Sequence, residues 1–254
     1  MEKLLQIIHE DSDLLAVNKP AGLVCHPTKT DAWSSLIGRV RLHATNGVSS
    51  DLAGTAPRAT GGDSRPHLIN RLDRETSGVV LVAKRDDVAR ELRRIWEGRG
   101  VRKEYLAIVH GHVTAGAGVI DAPLGKDDRS GVAIKDCVRG DGAASQTEFR
   151  VERRFVRSEG PFTLLQVVPR TGRKHQIRIH LAHAGYPVVG DKLYGGDEDI
   201  YLDLVRGRLT EEQRRGLILP WQALHARGLR FDWRGREWSF EAEPEGWFRE
   251  FANG

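Results

Sequence analysis

The chain has 254 residues, 39% of them hydrophobic, which is enough to bury one large core or two small ones. Its two cysteines are too few for a disulfide framework or a four-cysteine zinc site, and no apolar run approaches the ~20 residues of a membrane span. The formal net charge is +4 and the first residues contain no apolar targeting segment, so we expect a cytoplasmic globular protein that does not enter a membrane.

Apolar and alternating runs predict strands at 4–8, 14–18, 79–83, 103–109, 145–155, 163–168 and 224–231. Helical patterns are fewer, and the clearest are at 32–42, 86–96 and 173–184. Because strands dominate and do not alternate regularly with helices, the predicted fold class is α+β rather than doubly wound α/β. There is no internal repeat or long linker, so we expect a single domain over 1–254. Residues 46–66 are rich in small and polar residues without an apolar period, which predicts a mobile surface loop.

The segment Asn-Arg-Leu-Asp-Arg-Glu-Thr-Ser-Gly-Val-Val at 70–80 places one carboxylate, Asp73, between Arg71 and Arg74. Flanking positive charge favours the ionised carboxylate, so Asp73 is predicted to act as a nucleophile or an electrostatic anchor. If the run from His67 is a strand, Arg71 and Asp73 share a face at its end. The alternative is a solvated ion-pair cluster on the surface.

A second cluster, Pro-Arg-Thr-Gly-Arg-Lys-His-Gln-Ile-Arg-Ile-His, lies at 169–180 and is followed by Gly-Tyr-Pro at 185–187 and Gly-Asp-Lys-Leu-Tyr-Gly at 190–195. Together with Asn-Lys-Pro-Ala-Gly at 18–22 and Lys-Glu-Tyr-Leu-Ala at 103–107, these motifs closely resemble the RluA family of RNA pseudouridine synthases. The resemblance runs in order from residue 13 to residue 231. One departure is visible, because the family usually has His before the Arg-Leu-Asp triplet and this chain has Asn70, which cannot carry charge.

The resemblance implies a mixed, largely antiparallel central sheet flanked by helices, and a reaction that needs no cofactor. The extra N-terminal RNA-binding domain that the family often carries is not expected here. By residue-by-residue match, Asp73 is the expected nucleophile and Arg178 its orienting partner. Tyr105 is expected to stack on the flipped uracil, and its hydroxyl is a candidate for taking the C5 proton. From the residues alone, the favoured interpretations are a core tyrosine for Tyr105 and a surface arginine of a helix for Arg178.

An RNA substrate agrees with the uneven charge. Residues 150–178 carry eight basic and two acidic residues, whereas residues 232–250 carry three basic and six acidic ones. Arg71 is a candidate to occupy the space left by a flipped base and to hold phosphate, and the alternative is that it is a second partner for Asp73. The predicted RNA-binding residues are Lys19, Arg71, Arg173, Lys174 and His175, with solvated surface charge as the alternative for the lysines and Arg173. No metal site is predicted: His180 and His183 are one turn apart, but helix histidines without a matched ligand usually pack or form hydrogen bonds. Asp191 and His225 are expected to fix loops.

Two other classes of protein compete with a synthase. A catalytically silent RNA-binding or ribosome-assembly protein would keep the basic stripe but would not need Asp73, Tyr105 and Arg178 together. A glycosidase or nucleosidase would want a second acid, and the nearby one, Glu75, is expected on the opposite face. The predicted substrate is ribosomal or transfer RNA, the predicted state is a monomer, and attack at C1′ or at C6 of the uridine is left open.

Overall fold

A computed structural model describes residues 5–27, 32–46 and 65–253, so most of the predicted loop at 46–66 lies outside the described residues. The strands are β1 (Gln6–Glu10), β2 (Leu14–Lys19), β3 (His67–Leu68), β4 (Ser77–Ala83), β5 (Val101–His110), β6 (Ala117–Asp121), β7 (Leu124–Lys126), β8 (Asp136–Val138), β9 (Gln146–Arg157), β10 (Gly160–Pro169), β11 (Leu224–Trp233) and β12 (Arg236–Glu241). The helices are α1 (Leu36–Asn46), α2 (Asp86–Glu97), α3 (Gln176–His183), α4 (Asp199–Val205), α5 (Glu211–Leu217) and α6 (Gly246–Asn253), and a 3-10 turn at Ala32–Ser34 precedes α1. The fold is α+β, as predicted.

The chain divides into two compact units, Met1–Val101 with Gly228–Glu243 (unit 1) and Arg102–Arg227 with Pro244–Gly254 (unit 2). In unit 1 the strand order is β1-β2-β4-β11, with β3 beside β4 and β12 beside β11. In unit 2 the first residues of β11 begin the order β11-β5-β10-β9-β6, and β7 pairs with β8. The β1–β2, β2–β4, β5–β10, β9–β10 and β6–β9 ladders are antiparallel. The single domain over 1–254 stays a prediction.

The core of unit 1 forms around β2 and β4, whose residues are buried without alternation. A continuous apolar strand is typical of a sheet that is covered on both faces. On one side α2 contributes Val88, Ala89 and Leu92, and its first turn carries Asp86 and Asp87, which suits the positive end of the helix dipole.

The core of unit 2 lies between β5, β10, α3 and α6. Phe162 and Leu165 of β10 pack in one cluster with Ile177 of α3 and with Phe248 and Phe251 of α6. This packing gives α3, the helix that carries Arg178, a rigid support.

Two local predictions are wrong. The run from His67 forms a strand only at His67–Leu68, so Arg71 and Asp73 lie in the loop between β3 and β4. The third helix begins at Gln176 rather than at 173, because His175 has a left-handed backbone (φ 54°) and ends the preceding loop. The other predicted helices and strands are present, with ends that differ by a few residues. In the described part of the chain, no helix has the length and apolar character needed to cross a membrane.

Candidate active site

Asp73 lies on a short loop of unit 1 and is half-buried, whereas Arg71 is exposed. The Thr76 amide donates to the Asp73 carbonyl (3.2 Å), which closes a turn just before β4 begins at Ser77. A strand with fully buried residues therefore follows the candidate nucleophile within four positions, and such a support is what a precisely aimed side chain needs.

Asn70 ties the start of this loop to β4. Its Nδ2 donates to the Val79 carbonyl (3.0 Å), and its Oδ1 accepts from the Leu81 amide (2.8 Å). The Ile69 amide also donates to the Leu81 carbonyl (2.8 Å), so the Asn70 amide extends the backbone pairing by one step. Asn70, which stands where the family usually has His, thus holds the start of the loop against β4.

The Asn-Lys-Pro-Ala-Gly motif and the residues that follow it hold the other side of the loop. The Gly22 amide donates to the Arg74 carbonyl (2.9 Å), and Gly22 has φ 85°, a conformation that favours glycine. The buried Cys25 thiol faces both the amide and the carbonyl of Leu72 at 3.4 Å. Burial raises the pKa of Cys25, so it serves here as a neutral packing group.

Lys19 requires a correction. Its side chain is completely buried (0% exposed), and Nζ donates to the backbone carbonyls of Pro20 (2.9 Å), Leu23 (2.8 Å) and Arg74 (3.1 Å). An ammonium has three donors, and these contacts use them all, so neither a phosphate contact nor a solvated surface charge fits this placement. Lys19 instead fixes the loop that carries Asp73.

In unit 2, Arg178 forms a buried two-point ion pair with Asp191. Its Nε donates to Oδ2 (2.7 Å) and one terminal nitrogen donates to Oδ1 (2.8 Å), with the two residues only 7% and 3% exposed. Burial alone would raise the pKa of Asp191, but the charge and hydrogen bonds of Arg178 outweigh it, and the pKa lies below the usual value. Oδ1 also accepts from the amides of Leu193 (2.8 Å) and Tyr194 (3.0 Å), which confirms that Asp191 fixes a loop.

Tyr194 completes the surroundings of Arg178. The guanidinium carbon lies 5.0 Å from the centre of the Tyr194 ring, a cation–π contact. The Tyr194 hydroxyl lies 2.9 Å from Nδ1 of His175 and accepts from the Asp136 amide (3.3 Å), and burial raises its pKa. His175, predicted to bind RNA, is therefore tied to the shell around Arg178.

Gln176 organises the loop before α3. Its Oε1 accepts from the Thr171 hydroxyl (2.7 Å) and the Arg173 amide (3.0 Å), and its Nε2 donates to the Gln146 carbonyl (2.9 Å) and the Thr147 hydroxyl (3.0 Å). All the polar capacity of a buried amide is thus used to hold this loop rigid.

The cations predicted to bind RNA differ in what surrounds them. Arg173 is exposed at the tip of the loop before α3, and no ion pair is found for it among the described residues. The neighbouring Lys174 is exposed and pairs with Asp136 (2.9 Å). Of the stripe at 150–178, Arg154 and Arg157 donate to backbone carbonyls and Arg170 is paired with Glu148, so only part of the predicted charge is open to a partner.

Tyr105 lies in β5 opposite Val167 of β10, is half-buried and packs against the core of unit 2.

His180 is fully buried, and its two ring nitrogens lie 2.8 Å from the Thr147 hydroxyl and 2.9 Å from the Ala122 carbonyl. Burial lowers the pKa of His180, so a neutral ring with a hydrogen-bonding role is expected.

The predicted site residues are divided between the two units. Unit 1 contains Lys19, Arg71 and Asp73, and unit 2 contains Tyr105, Arg173, Lys174, His175 and Arg178. The pairing of Asp73 with Arg178 joins one residue from each unit and stays a prediction. Sequence reasoning missed the two-point bond of Asp191 to Arg178 and the place of Tyr194 against it. The sequence contained a signal for both Asp191 and Tyr194, because they lie in the Gly-Asp-Lys-Leu-Tyr-Gly motif at 190–195.

Comparison with known proteins identifies the class. The family model for RNA pseudouridylate synthase matches residues 13–183, which include Asp73, Tyr105 and Arg178. The chain belongs to this family.

Relatives and solved structures agree. The chain is 35% identical over 228 residues to an uncharacterized RNA pseudouridine synthase of Bacillus subtilis (strain 168), covering 90% of this chain and 64% of that protein. It is 36% identical over 235 residues to ribosomal large subunit pseudouridine synthase D of Pseudomonas aeruginosa, covering 90% of this chain and 64% of that protein. The structure of human RNA pseudouridylate synthase domain containing 1 is 25% identical, with a TM-score of 0.70 over 94% of this chain and 83% of that one. The chain therefore spans less than two thirds of the length of these two curated relatives.

Proposed function

We propose that this chain converts uridine in RNA to pseudouridine with Asp73 as the nucleophile and without a cofactor. The family match over residues 13–183 carries the proposal, since it includes the candidate nucleophile and both of its expected partners. The placement of Asp73 supports it: the carboxylate is half-buried on a loop that is anchored on two sides, rather than free on a surface.

The reaction breaks the bond between ribose C1′ and uracil N1, turns the uracil and joins C5 to C1′. C5 loses a proton and N1 takes one up, so the product is an isomer and there is no net oxidation. Asp73 would supply the electron pair, at C1′ or at C6, and Arg178 would aim the carboxylate through N–H groups of its planar guanidinium other than the two that bind Asp191. The Tyr105 ring would stack on the flipped uracil, and its hydroxyl could take the C5 proton. Arg71, exposed beside Asp73, would occupy the space that the base leaves.

The relatives support a proposal for the substrate class. One of them is named a ribosomal large subunit pseudouridine synthase, so we propose ribosomal RNA rather than transfer RNA as the target. The exposed cations Arg71, Arg173 and Lys174 would meet its phosphates. We further propose that the protein works in the cytoplasm as a monomer.

The decisive test compares Asp73→Asn with Glu75→Gln, which removes the other carboxylate of the same turn. Tritium release from RNA labelled at uridine C5 reports turnover, and filter binding of the same RNA reports affinity. We expect Asp73→Asn to abolish tritium release with affinity within a few-fold of wild type, and Glu75→Gln to remain active, because only the covalent step needs the Asp73 carboxylate. Near-normal turnover by Asp73→Asn would remove Asp73 from the mechanism. An inactive wild type that still binds RNA would instead indicate a silent RNA-binding protein.

A further inference from the structure

Lys103 stands apart from the other lysines of the protein. Among the described residues, each of the others donates to a carboxylate or a backbone carbonyl: Lys19, Lys84, Lys126, Lys135, Lys174 and Lys192. In the same part of the chain, no hydrogen bond or ion pair is found for Lys103. The contrast shows that this fold normally satisfies its ammonium groups, and that this one is left open.

The surroundings make an open ammonium costly. Lys103 is half-buried in β5, and burial lowers its pKa with no charged neighbour to offset the effect. Partial desolvation disfavours an ammonium that has no counter-charge, and a bound anion would supply that charge.

The position of Lys103 relates it to residues already placed in the site. Side chains two apart on a strand project from the same face, so Lys103 and Tyr105 lie on one side of β5, about 6.6 Å apart along the strand. A Cβ added to Gly172 would lie 3.2 Å from the Lys103 Nζ, so the ammonium rests against the loop before α3. Gly172 immediately precedes Arg173, the exposed cation of that loop.

We propose that Lys103 binds a backbone phosphate of the RNA beside the target nucleotide, with Gly172 leaving the room that the phosphate needs. The proposal rests on the proposed function. Phosphate is the fitting ligand because it carries the missing negative charge, is present at every nucleotide and is well matched to a compact ammonium. Tyr105 and Lys103 would then hold the base and a phosphate of the substrate from one face of the same strand.

The first experiment uses the wild-type protein, so it does not depend on a variant that folds. The protein is treated with a lysine-acylating reagent with and without ribosomal RNA from a strain that lacks this gene, and modified lysines are mapped by mass spectrometry. We expect RNA to protect Lys103 at least about fivefold and to leave Lys84, which is paired with Glu10, nearly unchanged. Equal labelling of Lys103 with and without RNA would overturn the proposal.

The second experiment tests whether the group that Lys103 contacts is a phosphate. Affinity of Lys103→Met for the same RNA is measured over a range of salt, with Lys103→Arg as the charge-conserving variant. Arg102→Met is the matched control, since it removes an equal charge from the opposite face of the same strand. Loss of one phosphate contact should lessen the slope of log affinity against log salt by about 0.7. From 50 to 200 mM salt, the affinity advantage of wild type over Lys103→Met should therefore shrink about 2.6-fold, which is 4 raised to the power 0.7.

The outcomes separate this proposal from the proposed function. Lower affinity of Lys103→Met with an unchanged slope would assign Lys103 to an uncharged group of the RNA and overturn the phosphate site. A slope that falls equally in Arg102→Met would reduce the effect to general surface charge, which also overturns it. If wild type forms no pseudouridine but Lys103 is protected and the slope falls only in Lys103→Met, the proposed function fails and the phosphate site stands.

Discussion

The ion pair between Arg178 and Asp191 supports a quantitative prediction about stability. Asp191→Asn keeps the size of the side chain, so it opens no cavity, but it removes the counter-charge that Asp191 supplies to the buried Arg178. Removing one partner of a buried pair typically costs about 3–5 kcal/mol. We expect the lower part of that range, about 3 kcal/mol, because the Asn carbonyl can still accept from the backbone amides at Leu193 and Tyr194.

The effect should depend on pH. Because the pKa of Asp191 is lowered in the folded protein, its ionisation stabilises the fold above the unfolded pKa, near 3.9, and this contribution is lost as pH falls through the folded pKa. The difference in the free energy of unfolding between wild type and Asp191→Asn should be constant near neutral pH and should shrink below about pH 4.

The assay is urea unfolding followed by tryptophan fluorescence and far-UV circular dichroism, with Glu148→Gln as the matched control. Arg170 and Glu148 form a pair of the same geometry (2.7 and 2.8 Å), but their side chains are 47% and 36% exposed. Solvent screens such a pair, so Glu148→Gln should cost less than about 1 kcal/mol. The comparison therefore isolates the effect of burial on the free energy of unfolding.

A second control tests the physical cause. If the cost comes from breaking the buried ion pair, Arg178→Met combined with Asp191→Leu should be more stable than Asp191→Leu alone, because neither charge of this pair is then left buried without the other. Equal stability of Asp191→Asn and Glu148→Gln, or a double variant less stable than the single one, would refute the reasoning.

Three further predictions concern the site. Arg178→Lys should lose most pseudouridine formation under saturating RNA, because an ammonium cannot reproduce the planar fork, and a rate within about threefold of wild type, or ~0.7 kcal/mol of barrier, would disprove the orienting role. In RNA binding, Arg173→Ala should lessen the salt slope by about 0.7 to 0.9, whereas Lys174→Ala, whose charge is already balanced by Asp136, should change it less; the opposite order would contradict the assignment of Arg173 as the open cation. Asn70→Ala should lower the free energy of unfolding by about 1–3 kcal/mol in urea, because it leaves the Val79 carbonyl and the Leu81 amide unpaired, and an unchanged midpoint would show that Asn70 is dispensable.

The sequence by itself predicted the principal strands and helices and the family. Strands β2 and β4 contain apolar runs at 14–17 and 79–83, and α2 has an acidic first turn, so local sequence patterns predicted them within a few residues. The spaced motifs carried the family resemblance, which the match over residues 13–183 confirms. The strands and the helix follow from local residue patterns, and the family follows from the order of motifs along the chain. A sequence displays both directly.

Only the tertiary structure decided what the charged residues do. Lys19 and Arg173 are both cations in glycine-containing motifs. The Lys19 ammonium is buried and donates to backbone carbonyls, whereas Arg173 is exposed. Arg178 meets Asp191, 13 residues further along the chain, because a loop folds back over α3. Whether a charge is buried and what pairs with it depend on segments far apart in the chain, and the large cost of desolvating a charge ties its role to that environment.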